Sequence, residues 1–152
     1  LKEIRISPER IKEKEFVKKR EIKDGWEYKV DKNGKEVRDS KGNKIKVDKL
    51  VKVRAVVNQI TQLKTTEVIG QVRYVNFNSR QLLKSFQVKS GYVFDHVYAK
   101  YRGDKRALTG DFKDFIKEKR IPFPSNEQMV FDSGNDLKKD LKRMILRNKF
   151  RN

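Results

Sequence analysis

The sequence predicts an α+β fold: an antiparallel β-meander, preceded by a β-hairpin arm and followed by C-terminal helices that pack on one face of the sheet. Three observations predict this fold. Apolar residues alternate with polar ones through the middle of the chain, as in half-buried strands. Only 10 of residues 51–100 are charged, against 28 of residues 1–50, so the core is expected in the middle. Apolar spacing becomes helical after residue 104, and strands followed by helices are typical of α+β domains.

The chain has 152 residues, the size of one domain, and we expect a single domain over residues 24–152. Residues 1–23 form a basic N-terminal segment before it. Ser7-Pro8-Glu9 can start a helix, with Ser7 as cap and Pro8 in the first turn. The apolar stripe that follows is thin, so the segment is expected either to be a lightly packed helix or to be partly disordered without a partner.

The arm is predicted over residues 25–47 by two similar turn sequences, 31–34 and 39–43. Asn33-Gly34 is a strong hairpin signal because both residues tolerate the positive φ of a type I′ turn. The same turns carry Asp and Asn oxygens that resemble a calcium loop. They lack the acid spacing of an EF-hand, so turns are favoured and no metal site is predicted.

Strands are predicted at residues 50–64, 67–77 and 82–88, where Val, Ile and aromatic residues recur with a period of two. Ser90-Gly91 is expected to end the meander. Residues 92–101 fit a strand or a helix, and their aromatic and β-branched content favours a strand.

Helical spacing after Gly103 places Phe112, Phe115 and Ile116 on one face. The prolines of residues 121–124 are expected to stop that helix. Ser125 and Gln128 then match a capping box, in which each side chain satisfies a free N–H group at a helix start. One long or two short helices should follow, with Gly134 as a weak point.

The composition argues against an enzyme. The chain has no cysteine and a single histidine, His96, and its eight glycines form no phosphate-binding loop. We therefore predict no catalytic residue and no cofactor. His96 is expected to pack on the sheet, and a hydrolase that uses it is the least favoured alternative.

The charge predicts an anionic partner. Lys and Arg exceed Asp and Glu by 18, spread evenly along the chain, and such a surface attracts any polyanion. The block YAKYRGDKRAL interleaves cations with tyrosines on which bases can stack. Alternatively, its tyrosines cover the core and its cations only extend into solvent. The candidate anion-binding residues are Lys100, Arg102, Lys105, Arg106, Tyr98 and Tyr101.

No run of apolar residues is long enough to cross a membrane, so we predict no transmembrane segment. The chain starts at Leu1 rather than at a methionine. This start predicts a processed protein or a piece of a longer one.

Several stretches within residues 25–146, above all YAKYRGDKRAL and PFPSNEQMVFD, resemble a family of uncharacterised envelope-associated proteins of Gram-negative bacteria. The family's members are longer, often signal-bearing or lipid-anchored chains, and this sequence resembles their C-terminal region. The resemblance implies a non-catalytic extracytoplasmic binding or scaffold domain, periplasmic or at the outer membrane, whose partner is an envelope protein, an anionic polymer or a lipid headgroup. It supplies no functional residues. The charge leaves open the alternative of a cytoplasmic nucleic-acid-binding module.

Overall fold

The structure is a computed structural model that describes residues 1–147. Its strands and helices follow one another in the order that an α+β fold requires. They are β1 (Glu3–Ile6), β2 (Arg10–Tyr28), β3 (Lys46–Val75), β4 (Leu82–Gly103), α1 (Phe112–Phe115) and α2 (Asn126–Arg147), with a 3₁₀ turn at Lys105–Ala107. The predicted α+β class is confirmed as a mostly antiparallel sheet with a C-terminal helix.

Strand β3 is the centre of the sheet and pairs with each of the other three strands. Strand β1 runs antiparallel to it, with Glu3 opposite Ile69 and Ile6 opposite Thr66. On β4, Gly91 approaches Thr66 and Gly103 approaches Arg54. Because the partners on β3 move backwards as β4 advances, this pair is antiparallel too.

The strands are longer than the sequence predicts. The predicted strands 50–64 and 67–77 are one strand, β3, because threonines at positions 65 and 66 extend a strand as well as valines do. Ser90-Gly91 does not end β4 either. A Cβ at Gly91 would lie 2.9 Å from the carbonyl oxygen of Thr66, so this glycine permits close strand contact rather than a stop.

The helix or disorder predicted for residues 1–23 is wrong, since β1 and β2 occupy most of this segment. Ser7 caps no helix. Its backbone N–H donates to the carbonyl oxygen of Thr65 at 2.9 Å, and its hydroxyl oxygen accepts from the Thr65 N–H at 2.9 Å. Pairing with β3 therefore overrides the weak local preference for helix.

The chain divides into two compact units. Unit 1 comprises Leu1–Lys12, Thr61–Val97 and the chain from Arg120 onward, and unit 2 comprises Glu13–Ile60 and Tyr98–Lys119. Strand β3 contributes its second half to unit 1 and its first half to unit 2. The predicted C-terminal boundary at residue 152 lies outside the described residues.

Unit 2 has its own hydrophobic core, built from alternate residues of β3, one residue of β4 and the segment after β4. Partly buried apolar side chains, among them Phe16, Ile22 and Phe112, pack against it. The rings of Phe16 and Phe112 have centroids 5.2 Å apart, an edge-tilted contact that aromatic pairs favour. The buried members of this core are Val53, Ala55, Val57, Ala99, Ala107 and Leu108.

In unit 1, α2 covers a second apolar region. Leu137 reaches Gly70, where an added Cβ would lie 3.6 Å from its methyl group. Met129 is fully buried. On β3 of the same unit, Gln62, Lys64 and Thr66 are buried polar residues at alternate positions. Gln62 donates to the carbonyl oxygen of Ile121 at 2.8 Å and accepts from its N–H at 3.3 Å.

A single long helix forms at the C-terminus, and Gly134 lies within it without breaking it. The Ser125 half of the predicted capping box is confirmed, because its hydroxyl oxygen accepts from the Gln128 N–H at 3.1 Å. The other half is wrong. The Gln128 side chain instead donates to Asp132, one helical turn ahead, at 3.0 Å.

Both predicted turns between β2 and β3 form. The N–H of Gly34 donates to the carbonyl oxygen of Asp31 at 3.0 Å, and Gly42 bonds to Asp39 in the same way. The type I′ geometry is wrong, because Gly34 takes a φ of +80° while Asn33 keeps a negative φ. One left-handed glycine after an ordinary turn is the commoner pattern of longer hairpin loops.

Candidate anion-binding grooves

Two of the predicted site residues, Lys100 and Arg102, lie exposed near the end of β4. Their side chains line a groove of about 250 Å³ in unit 2. Among the described residues, neither cation forms an ion pair within 4 Å, so both charges are available to a ligand. The whole lining of this first groove is Glu15, Val56, Asn58, Lys100, Tyr101 and Arg102.

The structure separates the two tyrosines of the block. Tyr98 is 8 % exposed and belongs to the buried residues, so its ring is not available to stack on a base. Tyr101, which lies between the two cations in the sequence, is 42 % exposed and also lines the first groove. Of the two predicted stacking residues, only Tyr101 presents a ring to solvent.

Arg106 is already held by two carboxylates. Its guanidinium lies 2.8 Å from an oxygen of Asp104 and 3.1 Å from an oxygen of Asp24. The hydrogen bond to Asp104, and to a lesser extent that to Asp24, raises the pKa of Arg106. The Arg106 side chain and then its backbone N–H lower the pKa of the Asp104 carboxyl. Arg106 therefore ties the turn after β4 to β2, and an anion would have to compete with both acids.

Lys105 lies on the surface in the 3₁₀ turn after β4. Gly103, two residues earlier, has a φ of +106°, and a Cβ there would meet the carbonyl oxygen of Arg54 at 2.5 Å. The backbone N–H of Asp104 donates to that same oxygen at 2.9 Å. Gly103 and Asp104 are thus held against β3 at the end of β4.

A second groove in unit 2, of about 290 Å³, carries four cations that sequence reasoning did not select. Lys52 and Arg54 alternate with the buried Val53 on β3, so the period of two already placed them on the exposed face. Lys19 and Arg20 come from β2, and their proximity depends on strand pairing. The lining of this second groove is Lys19, Arg20, Glu21, Lys52, Val53 and Arg54.

Catalytic and metal chemistry gain no support from the geometry. His96 is half-buried on β4 and has an interaction partner. Within residues 1–147, no three His, Asp or Glu side chains come together as metal ligands. The carboxylate of Asp31 accepts from the N–H groups of Asn33 and Lys35 at 2.8 and 3.0 Å, which explains this acid as part of its turn.

Comparison with known proteins gives no relative: no family model, no curated protein and no solved structure matches the chain. In the part of the chain that the structure describes, no helix is both long and apolar enough to span a membrane.

Proposed function

We propose that this chain is a non-catalytic binding domain of the bacterial cell envelope that contacts an anionic polymer through the first groove of unit 2. The observation that carries the proposal is the unpaired state of Lys100 and Arg102 in the first groove, on a chain with a net charge of +18. The envelope location and the periplasmic or outer-membrane setting are supported only by the family resemblance.

The ion pairs of unit 2 reduce the candidate cations of the site to two. Arg106 forms ion pairs with Asp104 and Asp24, whereas Lys100 and Arg102 face a groove with one carboxylate, that of Glu15. Cations without acidic partners can bind phosphate without first losing an existing ion pair, whereas Arg106 would have to exchange its carboxylates for the phosphate. We therefore place the anion contact on these two side chains.

The experiment measures binding of labelled polyphosphate to the chain across a salt series. Lys100→Gln with Arg102→Gln should weaken binding and lower the log–log salt slope by about 1.4, since each lost single-strand phosphate contact removes roughly 0.7. The matched control is Lys138→Gln with Lys142→Gln, two exposed helix cations of equal charge. Equal slopes for the two double variants would contradict a site in the groove.

Glu15 offers a change in the opposite direction. Glu15→Gln removes the one acidic group of the first groove and leaves the side-chain shape nearly intact, so polyphosphate binding should tighten by about two- to fivefold. A variant that binds no better than wild type would show that the anion does not enter this groove.

The second candidate function is binding of single-stranded nucleic acid, and exposed Tyr101, which lies between the two cations in the sequence, favours it. Base stacking on an aromatic ring contributes about 1–3 kcal/mol. Tyr101→Leu should then weaken oligonucleotide binding at least fivefold while polyphosphate binding stays unchanged. This candidate is excluded if Tyr101→Leu weakens oligonucleotide and polyphosphate binding equally, or if it weakens neither.

A further inference from the structure

The turn between β3 and β4 carries an exposed apolar cluster. We call residues 75–83 the β3–β4 tip. Phe77 is 96 % exposed at its end, a state that phenylalanine rarely takes in a soluble domain. Three aliphatic side chains in the same tip are more than half exposed, so the tip presents four apolar side chains to solvent among its polar turn residues. These three are Val75, Leu82 and Leu83.

The tip is held in shape by its own hydrogen bonds. The N–H of Asn76 donates to the carbonyl oxygen of Gln81 at 2.9 Å, which closes the turn. The side-chain oxygen of Asn76 accepts from the N–H groups of Asn78 and Ser79 at 2.9 and 3.0 Å. Phe77 therefore projects from an ordered turn, and little conformational entropy is lost when it enters another medium.

The chain segment that forms the tip and the adjoining parts of its flanking strands carries only positive charges, and of its cations Lys89 lies 3.9 Å from the Glu67 carboxylate. Between Glu67 and Asp95 the chain has no acidic residue and four basic ones, whereas acids and bases are mixed elsewhere. Arg80, within the turn, adopts a φ of +54°, which non-glycine residues seldom take. An arginine thus occupies a position whose backbone suits glycine better. The four cations are Arg73, Arg80, Lys84 and Lys89.

We propose that the β3–β4 tip docks on an anionic lipid bilayer, with Phe77 and its aliphatic neighbours inserted at the headgroup–acyl boundary and the flanking cations on lipid phosphates. An apolar insertion and a basic patch are the two signals that stable peripheral binding requires. The three cations nearest the tip, Arg73, Arg80 and Lys84, form no ion pair within 4 Å among the described residues, and they complement an anionic surface. This proposal concerns unit 1 and is independent of the grooves of unit 2.

The test is co-sedimentation of the full chain with phosphatidylcholine vesicles that do or do not contain phosphatidylglycerol. We expect binding to the anionic vesicles only. Phe77→Ser should weaken it about tenfold, because a phenylalanine side chain leaves the interface. The matched control is Phe131→Ser, which removes an exposed phenylalanine from α2 in the same unit and should leave binding unchanged.

Arg80→Gly separates binding from folding. It relieves the left-handed backbone, so the thermal midpoint should stay at or above that of wild type. It also removes a cation from the bilayer surface, so vesicle binding should weaken about fivefold. Unchanged vesicle binding in this variant would contradict the role of the basic patch.

A fluorescent reporter locates the tip directly. Trp26 is the one tryptophan, so Trp26→Phe with Phe77→Trp leaves a single indole at the tip. Its emission should shift to the blue when anionic vesicles are added, and Trp26→Phe with Phe131→Trp should show no shift.

Three results would overturn the proposal. The first is a failure of wild type to bind anionic vesicles, and the second is equal binding of these vesicles by Phe77→Ser and Phe131→Ser. The third is a loss of single-stranded RNA binding in Phe77→Ser as large as its loss of vesicle binding, which would make the tip a nucleic-acid contact instead. A loss of vesicle binding only in the Lys100→Gln, Arg102→Gln variant would likewise move the lipid contact to unit 2. Failure of the polyphosphate experiment leaves these outcomes unaffected, so the two proposals fail separately.

Discussion

Gly103 is the residue at which the end of β4 is most sensitive to substitution. Its φ of +106° is costly for any side chain by about 1–3 kcal/mol. An added Cβ would also lie 2.5 Å from the carbonyl oxygen of Arg54 and 3.1 Å from the Cα of Ala55, and both are backbone atoms that cannot rotate away. Overpacking of this kind costs about 1–3 kcal/mol more. Gly103→Ala should therefore lower the free energy of unfolding by about 2–6 kcal/mol.

Urea unfolding followed by circular dichroism measures this change. The control is Gly134→Ala, which adds the same methyl group in the middle of α2, where nothing lies within 4 Å of the new Cβ. It should raise the free energy of unfolding by about 0.5–1 kcal/mol, because alanine favours helix over glycine. If both variants unfold at the wild-type urea concentration, or if Gly103→Ala is the more stable one, the close strand contact at Arg54 does not exist.

Three further predictions concern stability. Val53→Asp should unfold the chain in a thermal melt, since an unpaired charge in the core costs several kcal/mol, and the same change at half-buried Val72 should cost less. Gln62→Ala should lower the free energy of unfolding by about 2–4 kcal/mol in urea, because it leaves the backbone groups that this amide holds buried without partners. Hydrogen bonds from Arg106 lower the pKa of Asp104 below its ordinary 3.8. The stability they add is complete above pH 3.8 and is lost as the pH falls through the lowered value, so the acid-induced drop in Tm should be smaller in Asp104→Asn.

Local features of the fold were predictable from the sequence. Ser125 caps α2 as its spacing from Gln128 indicates. The new strand at Leu82 and a strand end close to the predicted residue 77, observed at Val75, follow from polar turn residues between apolar runs. Each of these depends on neighbours within a few positions, because caps and turns are formed by hydrogen bonds between residues that are close in sequence.

Long-range pairing accounts for the elements that were missed. The alternation of Lys and Glu in residues 10–23 has no amphipathic strength of its own, and only the adjacent β3 makes it a strand. Lys64 shows the same dependence inside the core. Its side chain is 5 % exposed, and its ammonium donates to the carbonyl oxygen of Pro124 at 2.8 Å and lies 3.3 Å from a carboxylate oxygen of Glu9. A buried lysine is stable only with such partners, and none of them is near it in sequence.

The candidate site was predictable in part for the same reason. The block at residues 98–106 identified the exposed cations Lys100 and Arg102, since a strand that ends in a basic run must place some of them in solvent. It could not show that Asp24, about eighty positions away, neutralises Arg106. Nor could it bring Lys19 of β2 beside Arg54 of β3. Which charges remain free is decided by tertiary contacts.

Salt should act in opposite directions on folding and on binding. With a net charge of +18, the folded chain repels itself, and its ion pairs are mostly exposed, so screening removes more repulsion than attraction. Raising the ionic strength should therefore raise Tm, as differential scanning calorimetry can measure. Polyphosphate binding should fall steeply over the same range, because it depends on counterion release alone. Vesicle binding should fall less, since the apolar insertion of Phe77 is not screened. A Tm that decreases with salt would show that attractive pairs outweigh the repulsion and that the exposed cations are less free than their lack of acidic partners indicates.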